Sequence, residues 1–568
     1  MKLTEGKYHP VIPVVLPDRR WPNATRTKPP IWCSVDLRDG NQALPHPMPV
    51  ETKLKMFHLL TGIGFKEIEV AFPAASETEF TFVRQLIEEN LIPEDVTIQV
   101  LTPAREALIK RTFDSLKGVR RAIVNLYHSI SEAQRRIVYR MSKSELVKLA
   151  VECARLTHAC GQDSESQIHY VYSLESFNIS DLDFALEICG AVTEILQPSR
   201  EKKLILNLAS SVEKSFPNLF ADQVEWMHQH LPDRDSIILS VHTHNDRGSG
   251  VSSAELALLA GAQRVEGTLF GNGERAGNCD VTTMALNMFA DGIDPKLDFS
   301  DLPHVAEIYQ ECTGMPIYPR HPYVGELVFC AFSGTHQDAI AKGFKRRQES
   351  SEVLWEVPYL PIDPKDVGRE YESLIRFTSQ SGKGALEYIL ENNFGIILPK
   401  SLLAEFRAYT KKEVEKYGGA LSSELIWSLF KEEYLEQFQP ITLLKINQIH
   451  RIGNQVEIQF RIGAYGQEKD LRGVGVGTLD AFAQGLSAFL KCSIEMLHYE
   501  EQALGRGSKV EAIAFVQVSV NAGEPFFGAG IYNDMTFAAM RAFLSAYNRS
   551  WKKEQTDHFL ENTLDKLN

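Results

Sequence analysis

The stretch SVHTHNDRGSG, Ser240 to Gly250, runs an apolar segment straight into two histidines one residue apart. The preceding IILSV reads as a buried strand. Side chains alternate faces along a strand, so His242 and His244 point one way and Thr243 the other. Two imidazoles on one face are either a packed polar pair or half of a metal site, and the pair alone does not decide. Asp39, in DLRDG, is the natural carboxylate partner. Asp plus two His suits a borderline or hard divalent ion: Mn²⁺, Zn²⁺, Mg²⁺ or Co²⁺. Asn278, in GERAGN, adds an amide oxygen, and no cysteine sits in the cluster to suggest a thiolate zinc site. Open positions would remain for water and substrate, as Lewis-acid chemistry requires. Arg38 has two readings: it pins a carbonyl oxygen or carboxylate, or it is a salt-bridge partner of Asp36. The glycines of GNGERAGN would let backbone N–H groups approach an anion, but the loop lacks the full P-loop pattern.

These residues need a scaffold that brings them together. Eight apolar runs begin at Ile31, Phe65, Val96, Arg120, Ile168, Leu204, Ile237 and Arg264, separated by stretches such as VKLAVECARL and AELALLAGA with helical faces. Eight strand–helix units in a row predict a (β/α)8 TIM barrel, with an open parallel sheet as the alternative. Asp36, Arg38 and Asp39 follow the first run, Glu175 the fifth, Ser211 the sixth, His242 and His244 end the seventh, and GNGERAGN follows the eighth. In a barrel these C-terminal strand ends converge on one mouth.

Beyond the barrel, a Pro/Gly-rich connector runs from Tyr318 to Ile340, and a helical segment from Leu402 to Tyr417. From about Ile441 the character changes, and QVEIQFRIG alternates as a half-exposed strand does. GVGVGTLDAFAQGLSAFL and GAGIYNDMTFAAMRAFLSAY are weakly alike, each a Gly-rich strand end opening a helix. This predicts an α+β domain of tandem βββα units, either scaffold and dimerisation module or a ligand-binding module with two carboxylate-favouring helix N-termini. The expected divisions are an N-terminal arm (1–30), a catalytic barrel (31–315), linker subdomains (316–437) and a C-terminal domain (438–568).

The chain has 568 residues and a net charge of −14, with acid and base interspersed. That charge, with no basic stripe, argues against nucleic acid. No apolar run reaches membrane-spanning length, and the start shows no signal-peptide pattern. The eight cysteines are scattered without a CxxC, which fits a reduced cytoplasm.

SVDLRDGNQAL, FKEIEVAFPAASETEF, SVHTHNDRG, RVEGTLFGNGERAGN, RHPYVGELVFCAFSGTHQDAI, VPYLPIDPKDVGR and SQSGKG together resemble the 2-isopropylmalate synthase family in its long bacterial and fungal branch. The likeness spans about Ile31 to Gly384, and more loosely the C-terminal part, which resembles a leucine-sensing domain. It implies condensation of acetyl-CoA with a 2-oxo acid, 2-oxoisovalerate, in a homodimer inhibited by leucine, with a divalent metal ion and a monovalent cation such as K⁺. By motif position, Asp39, His242, His244 and Asn278 are the metal ligands. Arg38 holds the carbonyl oxygen, and Glu175 lies on the substrate wall with Gln42, Asn125, Tyr127, Ser173 and Ser211. Gly271, Asn272, Gly273 and Glu274 form the acyl-CoA loop. His336 and Tyr359 match residues of the proton chemistry, on a segment that in the family reaches over the partner subunit's site. Leu479, Met496, Tyr499 and Ala503 fall near the leucine pocket.

The chain departs from the family pattern at VNLYHS, where Asn125 replaces a usual His and His128 follows Tyr127. It departs again at NLASSVE, with Ala209 and Ser211 for Pro and Thr, and at Leu174 for Pro. These positions are expected around the oxo acid and bear on which oxo acid is used. Competing readings are another 2-alkylmalate synthase, a retro-Claisen lyase of the hydroxymethylglutaryl-CoA lyase type, and a non-catalytic leucine-binding protein.

Overall fold

The computed structural model describes residues 13–331, 333–349, 354–371, 383–417, 421–504 and 510–564. Each apolar run becomes a strand: β1 (Ile31–Ser34), β2 (Glu67–Ala71), β3 (Thr97–Pro103), β4 (Arg121–Ser129), β5 (Gln167–Glu175), β6 (Leu204–Ser210), β7 (Ile237–Thr243) and β8 (Arg264–Gly267). They pair in parallel and in chain order, and β8 returns to β1, so the sheet is a closed barrel and not an open one. Helices follow the strands, from Val50–Ile63 after β1 to Val281–Ala290 after β8.

Strand alternation sorts the barrel interior into levels. Ile123, Val171, Ile205 and Ile238 form an apolar cluster inside β4 to β7. Two residues further along the same faces come Asn125, Ser173, Asn207 and Ser240, all buried. Two further still come Tyr127, Glu175, Ala209 and His242. The sequence thus changes from apolar to amide and hydroxyl to chemically active as each strand rises to the mouth. The opposite faces carry His128, Tyr172, Leu174 and Leu208, buried against the surrounding helices. The chain before β1 is clamped to the helix Pro217–His230: Arg19 makes a two-pronged pair with Asp222, Trp21 Nε1 donates to the same carboxylate, and Arg20 N–H donates to Glu225.

The chain divides into two compact units, one holding the barrel with Ile362–Tyr371, the other Cys330–Pro361 and the chain from Glu372 on. In the second unit the tandem βββα expectation is met. β9 (Ile441–Ile452), β10 (Gln455–Ala464) and β11 (Gln467–Gly475) form one antiparallel sheet, followed by the helix Thr478–Leu490. β12 (Ile494–Ala503), β13 (Ala512–Val520) and β14 (Pro525–Tyr532) form the other, followed by the helix Met535–Leu564. The helices pack on one face of both sheets in a common core that includes Phe460, Phe482, Val516 and Phe543.

The segment 316–437 is divided between the two units. Its first part belongs to the barrel unit, and the helices Lys383–Phe394, Lys400–Tyr417 and Ser423–Phe430 pack on the second face of β13 and β14. The reason lies in strand parity: Ile513, Phe515, Phe527 and Ala529 make that face apolar, and it must be covered. The corresponding face of the first sheet carries Arg461–Asp470 and Arg472–Glu457 pairs instead. Most of SQSGKG lies outside the described residues.

Candidate active site

DLRDG leaves β1 in a wide turn in which Gly40 N–H donates to Val35 C=O, five residues back, at 3.1 Å. Such i→i+5 turns recur at functional sites because they re-aim side chains within one turn. Here the turn directs Arg38 and Asp39 into the barrel mouth. At the end of β7, His242 and His244 both face inward, while the Thr243 hydroxyl points away and donates to Gly250 C=O. The three side chains meet. His242 Nε2 lies 3.4 Å from Asp39 Oδ2 and 3.3 Å from His244 Nε2, and His244 Nε2 lies 3.8 Å from Asp39 Oδ2. All three residues are buried, and among the described residues they form the one cluster of His, Cys, Asp or Glu fit to hold a metal ion.

The donor chemistry fits a cation. Among the described residues, Asp39 Oδ2 and Asn278 Oδ1 are buried acceptors without a hydrogen-bond donor, and His244 Nδ1 is likewise unpaired. Two ring nitrogens and a carboxylate oxygen facing one another at these separations repel unless a proton or a metal ion lies between them. Asn278 is brought in by a backbone bridge to His244. Its Nδ2 donates to Asn272 C=O at 3.0 Å, which leaves Oδ1 as the unspent atom.

The glycines of GNGERAGN serve this placement. A Cβ on Gly273 would lie 2.4 Å from Asn278 Nδ2, and one on Gly277, whose φ is +98°, 2.0 Å from Gly271 C=O. The loop closes over its own asparagine because these positions have no side chain.

Arg38 does not pair with Asp36. Its guanidinium binds Glu69, and its Nη1 lies 2.7 Å from Asp39 Oδ1. Asp36 instead accepts from Ser34 Oγ at 2.8 Å and Leu269 N–H at 3.0 Å, holding the loop after β8. Burial pushes Asp36 up to about 7. Burial would also raise Asp39, but Arg38 and His242 outweigh it and hold it well below the usual carboxylate range. Burial likewise opposes charge on His242, yet Asp39 and Glu266 push it up to about 9. His244 falls to about 4, through burial and then through the charge on His242. These opposite directions favour a proton on His242 over one on His244.

A cavity of about 730 Å³ opens above these residues. Arg38, Asp39, His242 and His244 line it, and so do Gln42, Asn125, Tyr127, Ser173, Glu175 and Ser211. Burial raises Glu175. Of the expected acyl-CoA loop, Glu274 reaches the cavity and accepts from Gln42 Nε2 at 3.0 Å, whereas Gly271, Asn272 and Gly273 do not line it. Ala209 lines the cavity, but His128 and Leu174 do not. Both sit at the alternate strand positions and face the helices, His128 Nε2 at 2.6 Å from Tyr172 Oη. Two of the five departures from the family pattern thus lie outside the lining of this cavity.

In the second unit, His336 and Tyr359 stack face to face with ring centroids 4.0 Å apart. Tyr359 is 60% exposed and adopts a φ of +65°, in the left-handed region. Leu479 packs partly against the C-terminal core, while Met496, Tyr499 and Ala503 lie exposed along β12. The Gly-rich strand ends serve close packing of helix on sheet. A Cβ on Gly473 would lie 1.9 Å from Ala481 C=O and one on Gly528 2.2 Å from Ala546 N, so these glycines let helix and sheet touch. Each helix start also carries its own carboxylate: Asp480 accepts from Val476 N–H and Asp534 from Phe537 N–H. An incoming carboxylate would meet like charge there.

Sequence reasoning passed over the buried polar set beneath the site: Glu69, Gln99, Asn207, Arg264 and Glu266. The signal was present in FKEIEV and RVEG, where charges alternate with apolar residues inside runs that must be strands. In a barrel strand, that parity aims them inward.

Residues 29–308 match the family model described as HMGL-like, 326–391 the alpha-isopropylmalate synthase post-catalytic domain-like model, and 420–551 the LeuA allosteric (dimerisation) domain. Curated relatives include the 2-isopropylmalate synthases of Clostridium acetobutylicum, 51% identical over 96% of this chain and 99% of that one, and Ralstonia nicotianae, 50% identical over 97% and 95%. That of Rhodospirillum rubrum is 48% identical over 95% of this chain and 98% of its own. Among the described residues, no helix is long and apolar enough to cross a membrane.

Proposed function

The chain belongs to the 2-isopropylmalate synthase family, and from that premise we propose how its barrel mouth carries the reaction. The enzyme condenses acetyl-CoA with 2-oxoisovalerate and water, giving 2-isopropylmalate and CoA, the first committed step of leucine synthesis. Identity along the whole length gives the lyase alternative no support, since a lyase has no use for the second unit. The observation that carries the site assignment is the meeting of Asp39, His242 and His244 at one cavity, with Asn278, whose oxygen is unspent, on the segment bridged to His244.

In this reading a divalent ion, Mg²⁺, Mn²⁺ or Zn²⁺, bound by those four residues supplies Lewis-acid polarisation of the oxo acid's carbonyl. Arg38, held by Glu69 and Asp39, is fixed before substrate arrives. Its remaining N–H groups stabilise the negative charge that grows on the keto oxygen. Removing a methyl proton from acetyl-CoA leaves the carbanion equivalent that forms the new bond to the keto carbon. Water then cleaves the thioester, and CoA leaves as the thiol. A thioester methyl is a weak acid and needs a positioned base. By family resemblance His336 and Tyr359 act in this proton chemistry. Gln42, Asn125, Tyr127, Ser173, Glu175 and Ser211 shape the oxo-acid wall, and the loop Gly271 to Glu274 serves the acyl-CoA.

The same resemblance assigns leucine to the C-terminal domain near Leu479, Met496, Tyr499 and Ala503. Inhibition then requires leucine to bind the less active state more tightly. A cytoplasmic homodimer, with a monovalent cation such as K⁺ as a further requirement, completes the proposal. The test is thiol release from acetyl-CoA across a panel of 2-oxo acids, with the product identified by mass. 2-Oxoisovalerate should give the highest kcat/KM; a clear preference for another oxo acid would overturn the substrate assignment while leaving the reaction class standing.

A further inference from the structure

Glu266 sits beside His242 in the parallel pairing of β7 and β8 and is 1% exposed. Four nitrogens converge on its carboxylate. Oε1 accepts from Arg264 Nη1 at 2.8 Å and from Gln99 Nε2 at 3.0 Å. Oε2 accepts from Asn207 Nδ2 at 2.9 Å and faces His242 Nδ1 at 3.0 Å.

The directions of these bonds are fixed by their other ends. Arginine has no acceptor atom. The Gln99 amide is oriented because its oxygen accepts from Arg264 Nη2 at 2.8 Å. Asn207 Nδ2 also meets Ser173 Oγ at 3.1 Å, Ser173 Oγ donates to Asn125 Oδ1 at 2.8 Å, and Asn125 Nδ2 donates to Glu69 Oε2 at 3.0 Å. This chain begins and ends on carboxylates, which accept only, so its amides have one consistent orientation. His242 Nδ1 must then carry hydrogen toward Glu266, and its Nε2 is the nitrogen left for Asp39 and His244 to face.

We propose that Glu266 is a positioning residue: it fixes the ring and the Nδ1–H form of His242 so that Nε2 is the ligating atom. Through Asn207 and Ser173 the same carboxylate ties Asn125, on the oxo-acid wall, to that histidine. The proposal rests on the metal-site reading above. Carboxylate–histidine pairs behind metal ligands commonly raise affinity in this way.

Glutamine cannot substitute. Turned one way, its NH₂ group faces the donors Arg264 and Gln99; turned the other, it faces the Asn207 amide donor and can only donate to His242 Nδ1, which moves the ring's hydrogen to Nε2. In the full-length, chelator-stripped protein, Mn²⁺ affinity measured by calorimetry should therefore weaken about 10- to 100-fold in Glu266→Gln. Circular dichroism and the metal-free unfolding midpoint report folding separately. Should that variant not fold, Glu266→Gln combined with Arg264→Met removes the buried charge pair together, and the same weakening is expected. Wild-type Mn²⁺ affinity in either folded variant overturns the proposal, including the case in which only the unfolding midpoint drops. Absence of Mn²⁺ binding by the wild-type protein would instead overturn the metal-site reading on which the proposal rests.

Discussion

The barrel interior and the core of the tandem C-terminal units are filled by opposite means. Beneath the barrel mouth, Arg264, Glu266, Glu69 and Gln99 are buried at 0 or 1% exposure, and each is paired. The C-terminal core is apolar, with Ile, Leu, Val and Phe beside many alanines such as Ala481, Ala538, Ala542 and Ala546, and the paired charges lie on an open sheet face. Burying a charge is costly unless it is fully partnered, and a network of such groups holds orientation more firmly than apolar packing does. The barrel bears that cost where side-chain direction decides chemistry. The C-terminal units instead remove side chains altogether, so that helix and sheet approach closely.

If this contrast is right, the largest effect belongs to Arg38. Arg38→Ala should lower kcat about a thousandfold by removing charge stabilisation at the keto oxygen. Lysine should recover little of it, because one ammonium cannot hold Glu69 and Asp39 and still face substrate. Steady-state CoA release on variants with wild-type circular dichroism measures this; a tenfold loss or less would break the contrast at its strongest point.

Next comes a buried group outside the network. His128 is pushed down to about 4 by burial, so the unfolded chain takes up its proton at higher pH than the folded one. Stability is therefore complete above about pH 6.5 and is lost as pH falls toward 4, by roughly 3 kcal/mol. Chemical unfolding at several pH values should show that slope in the wild type and a shallower one in His128→Asn. Equal slopes would contradict it.

A smaller effect is expected from Gly528→Ala, because the added methyl meets the backbone at Ala546. The cost should be about 2 kcal/mol of unfolding free energy. The smallest belongs to Arg461→Ala on the open face of the first sheet, where the pair with Asp470 is solvated. Its unfolding midpoint should match the wild type within scan reproducibility.

What could be read from the sequence follows the same division. The eight runs, the shared face of His242 and His244, and the tandem βββα pattern are local: each depends on alternation within one strand or on a glycine before a helix. The partner of Arg38 was not legible, because Asp36 is nearer in sequence while Glu69 is nearer in space, on the neighbouring strand. Leu174 and His128 looked like substrate contacts because they interrupt family motifs, yet the parity of β4 and β5 turns them toward the helices. Parity was available for Glu69, Arg264 and Glu266 as well. What parity cannot supply is which inward residues from different strands meet at one height, since that is set by the pairing register around the closed barrel. The glycines of the C-terminal units suggested anion sites for a related reason: a Gly-rich strand end opening a helix looks the same whether it approaches a ligand or its own helix.

The central claim is that the four residues at the barrel mouth make the condensation metal-dependent. It is tested most directly by following 2-oxoisovalerate-dependent CoA release after exhaustive chelation, then on adding back Mn²⁺ or Mg²⁺, with His244→Ala carried alongside. The expected result is loss of CoA release on chelation and recovery with the added ion. The His244→Ala protein should bind the ion more weakly and remain slow. Full activity in metal-free wild-type protein would contradict the account.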